Sequence, residues 1–293
     1  MIVITGATGT IGRELTAQLA AGQIPFRAVF RPSDQSRGKG IPGESLHPAD
    51  LQEQSARTKA LEGVTKLFLC TPLTDHQLSL QNQIFETSLS LGVRHVVKLG
   101  TMATDKDSRI SHARWHRDLE ERIKQSGIGW TFLQPTLFST VIFEPWAWSS
   151  DQQDLALPLR NGRIPLVDPR DVAAVAFRAL TDSAKKRGQT YTITGPEALS
   201  MAQVAIMISS HLRETVRYHD ISQEAFVSHA QKQGLPSWLC QDLAEMFEYF
   251  AFNRGSQLSL LPAKILEKPR TFREFISHSA TPRGSVQRTR NAS

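Results

Sequence analysis

The run Thr5-Gly6-Ala7-Thr8-Gly9-Thr10-Ile11-Gly12 restricts the fold of this chain more than any other stretch. A β-branched segment, Ile2–Thr5, leads into it, and an amphipathic segment, Ile11–Ala21, leaves it. That order reads as strand, tight turn and helix. Glycines at 6, 9 and 12 let the backbone turn sharply and come close to a pyrophosphate, whose charge then faces the N-terminus of the helix. A dinucleotide-binding unit is therefore expected at the start of the chain. Gly6, Thr8, Gly9, Thr10, Ile11 and Gly12 surround the phosphates in this reading.

The same alternation continues. Strands are expected at Phe26–Phe30, Lys66–Cys70, His95–Leu99 and Trp130–Leu133, and helices at His76–Leu91 and Ile110–Ser126. Such a rhythm specifies a parallel sheet covered by helices on both faces. Beyond residue 135 it weakens. A helix at Asp171–Leu180, a strand at Thr190–Thr194, a Ser200-capped helix at Met201–Leu212 and a helical segment from Ile221 to Phe252 follow. The expected fold is α/β: a Rossmann-type, doubly wound parallel sheet with a smaller, mostly helical C-terminal substrate lobe. Residues 1–135 form the dinucleotide domain, with 162–195 returning to it. Residues 136–280 form the lobe, and 281–293 a disordered tail.

The second strand ends in Arg31-Pro32-Ser33. Enzymes that prefer NAD place a carboxylate there, on the ribose 2′-hydroxyl. A guanidinium suits a 2′-phosphate instead, so the expected cofactor is NADPH, held by Arg31 and Ser33 with help from Arg37 or Lys39. The formal charge of +6 includes Arg283, Arg288 and Arg290 of the tail. The body is only mildly basic and carries no basic helix, which argues against nucleic acid as a partner. No run of 18 apolar residues suggests a membrane span, and the opening run has no basic leader. Cys70 and Cys240 make no metal-ligand spacing and suit a reducing cytosol, so a cytoplasmic protein, monomer or homodimer, is expected.

Several stretches together give a resemblance. Thr5–Gly12, Ala60-Leu61-Glu62-Gly63-Val64, Trp130–Thr136, Gly162-Arg163-Ile164-Pro165 with Asp171-Val172-Ala173, and Thr194-Gly195-Pro196-Glu197 resemble the NmrA-like branch of the atypical short-chain dehydrogenases over residues 1–275. That family includes quinone and azo-dye reductases, isoflavone reductases, fungal alkaloid enzymes that reduce iminium ions, and regulators that bind dinucleotide without turnover. The resemblance implies that Asp50 and Leu51 lie beside the adenine. It places Cys70, Thr71, Pro72 and Leu73 along the cofactor, and Leu99, Gly100 and Thr101, with Pro135, near the nicotinamide.

The parent short-chain dehydrogenases use a Tyr-x-x-x-Lys pair on the helix after the fifth strand. The tyrosines here, Tyr191, Tyr218 and Tyr249, all lie elsewhere. That helix instead carries His112, His116 and Glu120, spaced to share one face. His112, at the tyrosine position, is either the proton donor or a cap of the helix, and His116 a partner or an ordinary pair with Glu120. Thr101 is a further catalytic candidate, and Lys98 is expected to snorkel from its strand. Trp115, Phe138, Phe143, Trp146 and Trp148 are expected to wall an apolar site. The reading is an NADPH-dependent reductase of a bulky conjugated molecule, aromatic or alkaloid-like: an imine or iminium, a quinone or an enone. A dinucleotide-sensing regulator, and an enzyme coupling reduction to cyclisation, remain as alternatives.

Overall fold

A computed structural model describes residues 1–38, 40–104, 108–151, 153–182 and 188–278. The expected tail, 281–293, lies outside them. The opening strand β1 (Ile2–Ile4) enters α1 (Thr10–Ala21), and β2 (Phe26–Phe30) follows. Next come β3 (Leu46–Pro48), α2 (Gln54–Leu61), β4 (Lys66–Leu69) and α3 (Gln77–Ser90). The series continues through β5 (His95–Leu99), α4 (Ser111–Gln125) and β6 (Gly129–Pro135). Later, after two short strands β7 (Leu155–Leu157) and β8 (Arg163–Ile164), α5 (Pro169–Thr181) leads into β9 (Gln189–Ile193).

Seven strands form one sheet in the order β3-β2-β1-β4-β5-β6-β9, with parallel pairing throughout. Strand order reverses between β1 and β4, which opens a crevice at the C-terminal ends of those strands, where open α/β sheets take their ligands. The central strands β1 and β4 read as near-continuous apolar runs because both faces are covered. On one face Leu15 and Leu19 of α1 pack with Val172, Val175 and Ala176 of α5. On the other, Leu61, Ile84, Phe85, Leu119 and Ile123 come from α2, α3 and α4.

A third core lies beyond β6. It joins β7, α6 (Met201–Leu212), α7 (Gln223–Lys232) and α8 (Ser237–Ala251) with Trp146, Trp148 and Phe272. Ile110 and Ala113 belong to this core too, so the first turn of α4 is packed against the lobe while its later turns lie on the sheet. The site forms at that junction. Ser200 caps α6 in a full capping box with Gln203. The single helical segment expected over Ile221–Phe252 is two helices, interrupted at Gly234-Leu235-Pro236, because proline lacks the N–H that would continue the ladder. Among the described residues, no helix is long and apolar enough to cross a membrane.

Candidate active site

The β1–α1 turn brings bare backbone to the crevice. Gly6 adopts φ +64°, and a Cβ there would press within 2.8 Å of the Cys70 carbonyl oxygen on β4's exit. A Cβ on Gly12 would sit 2.7 Å from Cα of Ala7, so α1 could not approach the turn. The Gly9 N–H donates to the Gly6 carbonyl at 3.0 Å and closes the loop. Beside it runs a cavity of about 320 Å³. Gly6, Thr8, Gly9, Arg31, Asp50, Leu51, Thr71 and Pro72 are among the residues that line it. A glycine turn that opens a helix beside such a cavity fits the pyrophosphate and adenosine of a dinucleotide.

Other expected cofactor residues stand differently. The Thr10 side chain is exposed and Ile11 lies in the core beneath α1, so both mark the helix start rather than the cavity wall. Ser33 is exposed and does not line the cavity. Lys39 and the side chain of Arg37 lie outside what is described. A residue the sequence reading missed is Asp34: it lines the cavity and accepts from Arg31 Nε at 2.9 Å. The guanidinium that would take a 2′-phosphate thus already has a carboxylate beside it.

A second cavity, of about 270 Å³, shares Cys70 and Thr71 with the first. The two therefore meet at the end of β4. Leu73, Gly100, Thr101 and Pro135 line this second cavity, together with His112 and His116. Its apolar wall is Leu137, Phe138 and Val141 from the segment after β6, and Leu243, Met246 and Phe250 from α8. Of the aromatic wall expected from the sequence only Phe138 is there. Trp146 and Trp148 are buried in the lobe core, Phe143 stacks on Phe275, and Trp115 packs on Trp238. Trp146 and Trp148 put their large apolar area into the lobe core instead. Burial pushes the Cys70 thiol up to about 11, against a smaller pull from Lys98, so it presents no thiolate to the site.

The two histidines have different partners. His112 Nδ1 donates to Oδ2 of Asp242, a residue of α8, and the His112 backbone N–H donates to the same oxygen at 3.1 Å. The Ser111 N–H donates to Asp242 Oδ1. One buried carboxylate thereby caps the first turn of α4 and orients a histidine ring. Burial raises the Asp242 carboxyl, but the hydrogen bonds and charge of His112 outweigh it and hold the group below the ordinary carboxylate range.

His116 lies one turn on, its ring centroid 6.5 Å from that of His112. Its Nδ1 accepts from Lys98 Nζ at 2.7 Å. Lys98 does not snorkel: it is fully buried, and its ammonium also reaches Glu120 Oε1 at 3.5 Å. Gln134 Nε2 donates to the other carboxylate oxygen at 3.0 Å. Lys98 thus stands between His116 and Glu120, where the sequence suggested a direct pair. Burial lowers Lys98 to about 8 despite Glu120. Burial first, then the neighbouring Lys98 and His112, keeps His116 well below its usual value and so neutral.

A family model described as the NmrA-like family matches residues 1–276. The chain belongs to the NmrA-like family. It is 32% identical to an NAD(P)H azoreductase of Xenophilus azovorans over 292 residues, 98% of this chain and 100% of that one. It is 24% identical to quinone oxidoreductase 2 of Escherichia coli over 286 residues, 96% of this chain and 95% of that one. The NADPH complex of the latter superposes with a TM-score of 0.82 over 95% of this chain and 99% of that structure. The transcriptional regulator NmrA, solved with NAD, shares the fold at a TM-score of 0.79 and 17% identity, covering 98% and 97% of the two chains.

Proposed function

We propose that this NmrA-like protein is an NADPH-dependent reductase of a bulky, apolar, conjugated small molecule. One observation carries the reading: an apolar cavity with an oriented histidine in its wall shares Cys70 and Thr71 with the cavity beside the glycine turn. The full-length similarity to an azoreductase supports the reaction type. Gly6, Thr8 and Gly9 would hold the pyrophosphate, Asp50 and Leu51 the adenosine, Arg31 the 2′-phosphate, and Gly100, Thr101 and Pro135 the nicotinamide end.

Bound there, a reduced nicotinamide supplies a hydride. The protein supplies the rest. Leu137, Phe138, Leu243 and Met246 exclude water around the acceptor and position it. Asp242 fixes the His112 proton on Nδ1, so that Nε2 addresses the cavity and, in the imidazolium form, donates a proton to the heteroatom that receives charge. Solvent returns that proton after product leaves. Thr101 lines the same wall and would hydrogen-bond the acceptor.

Oxidation of NADPH followed at 340 nm against menadione, methyl red and a cyclic iminium tests the proposal. Turnover of at least one acceptor, lowered in His112→Phe, is expected. Tight NADPH binding with no oxidation by any acceptor would overturn it and leave the dinucleotide-sensing reading.

A further inference from the structure

Beside this cavity lies a buried lysine, Lys98, that the reaction just described leaves unused. An ammonium buried completely is expensive unless paired and hydrogen-bonded, and such groups are rarely kept for stability alone. Lys98 rises from β5 beneath the cavity floor. Glu120 and His116 face it from α4, and Cys70 from just beyond the end of β4. The packing is tight: a Cβ on Gly100 would lie 2.6 Å from Glu120 Oε1 and 3.6 Å from Lys98 Nζ. No substrate can reach the ammonium directly, because its exposure is zero. Its line to the cavity is His116, whose ring lines the wall and whose Nδ1 it holds at 2.7 Å.

An ammonium has only protons to give. A histidine nitrogen that accepts from it must be bare, and in a neutral ring the proton then sits on the other nitrogen. We infer that Lys98 is a positioning residue that fixes His116 in the Nε2–H tautomer, giving the cavity a permanent hydrogen-bond donor beside the His112 acid, suited to an acceptor whose nitrogen or oxygen gains negative charge as hydride arrives. The inference rests on the reductase reading and narrows it. A quinone oxygen or azo nitrogen gains from such a donor, since charge develops where the N–H points. An iminium does not: it loses a positive charge, and its nitrogen acquires a lone pair without becoming anionic. The proton that completes the product still comes from His112. His116 keeps its own, and no bond to it breaks.

The arrangement also sets a pH limit. Among the described residues, Glu120 and His116 from α4 and Cys70 just beyond β4 are the titratable groups that face Lys98, and His112 and Lys98 those that face His116. With Lys98 lowered to about 8, the ammonium is intact at neutral pH and is lost as pH rises through that value. A neutral amine can accept, His116 can then move its proton to Nδ1, and the cavity loses its donor.

The test combines a tautomer measurement with kinetics. Long-range ¹H–¹⁵N spectra of histidine-labelled protein at pH 7, with the ring assigned from His116→Gln, should show His116 neutral and protonated at Nε2. Lys98→Met should shift it towards the Nδ1–H form. With menadione and NADPH, Lys98→Met should lose roughly 10- to 100-fold in kcat, the usual effect of removing one preorganised donor or slightly less, with KM for NADPH unchanged. His116→Leu should match it, and His116→Gln, whose amide also donates, should recover most of the rate. The alkaline fall in wild-type kcat near pH 8 should vanish in Lys98→Met. A wild-type ring protonated at Nδ1, or at both nitrogens, overturns the inference even if Lys98→Met does not fold. So does a His116→Gln enzyme as slow as His116→Leu. If the wild type turns over no acceptor, the reductase reading fails, while the spectra still decide how Lys98 sets the ring.

Discussion

His112 and His116 are the same side chain one helical turn apart, and their partners give them different chemistry. His112 donates from Nδ1 to a carboxylate, whereas burial first and then the Lys98 ammonium keep His116 neutral. His112→Phe should therefore reduce kcat for menadione by roughly 10²–10⁴-fold, the yield of general acid catalysis. Asp242→Asn, which keeps the ring but frees it, should fall between that variant and the wild type. Equal rates in all three would remove the acid role. At the other end of the crevice the contest is between Arg31 and Asp34. Arg31→Asp should weaken NADPH by roughly 1–3 kcal/mol, the worth of a charged hydrogen-bonded pair. Asp34→Ala should strengthen NADPH relative to NADH, since the guanidinium no longer has to be shared. Calorimetric titration of both cofactors reads both shifts, and an unchanged ratio in Asp34→Ala would mean the pair separates without consequence. Spacing made the histidines legible, because 112, 116 and 120 must share a helix face. Their partners were not legible: Asp242 is 130 residues from His112, and only a carboxylate interrupting the apolar stripe of α8 hinted at it.

At the scale of elements, sequence and structure agree wherever an apolar run is long enough to specify its own neighbourhood. Phe26–Phe30, His95–Leu99 and Met201–Leu212 match their strands and helix residue for residue. They part where tertiary pairing does the specifying. The three residues of β3, Leu46-His47-Pro48, have little strand propensity, and become a strand because Ala28, Val29 and Phe30 of β2 align with them. The joint between α4 and α8 is likewise a product of folding, and it has a pH signature. Asp242's carboxyl lies below the ordinary 3.8, so its ionised form stabilises the joint at neutral pH. That contribution is complete above 3.8 and disappears as acid protonates the group at lower pH. Asp242→Asn should accordingly be less stable than wild type at pH 7, with the difference in urea midpoint shrinking as pH falls below 3.8. A difference that stays constant with pH would assign the loss to packing instead. Gly100→Ala acts at the β5–α4 joint: its Cβ would meet Glu120 at 2.6 Å, and a destabilisation of roughly 1–3 kcal/mol is expected from the overpacking.

On the scale of the whole molecule, two cavities share Cys70 and Thr71 at the exit of β4, and the glycine turn separates its folding role from its binding role. At Gly12 an added Cβ would collide with Ala7 inside the molecule itself. At Gly9 the nearest obstacle is the Gly6 carbonyl at 3.2 Å, a contact that a shift of a few tenths of an ångström relieves, and the remaining space belongs to the crevice. Gly9→Val should thus fold and fail to bind cofactor, whereas Gly12→Val should fail to fold. Thermal unfolding distinguishes the two. A ligand at 100 times its Kd stabilises the folded state by about 2.7 kcal/mol. For a chain of this size that corresponds to a rise in Tm of roughly 5–10 °C. The wild type with saturating NADPH should show this rise. Gly9→Val should unfold close to the cofactor-free wild type and gain nothing from NADPH, with an unchanged circular dichroism spectrum. A full ligand-induced rise in Gly9→Val would place the pyrophosphate away from the turn, and with it the nicotinamide away from His112 and His116, because the shared end of β4 is what aligns the two cavities.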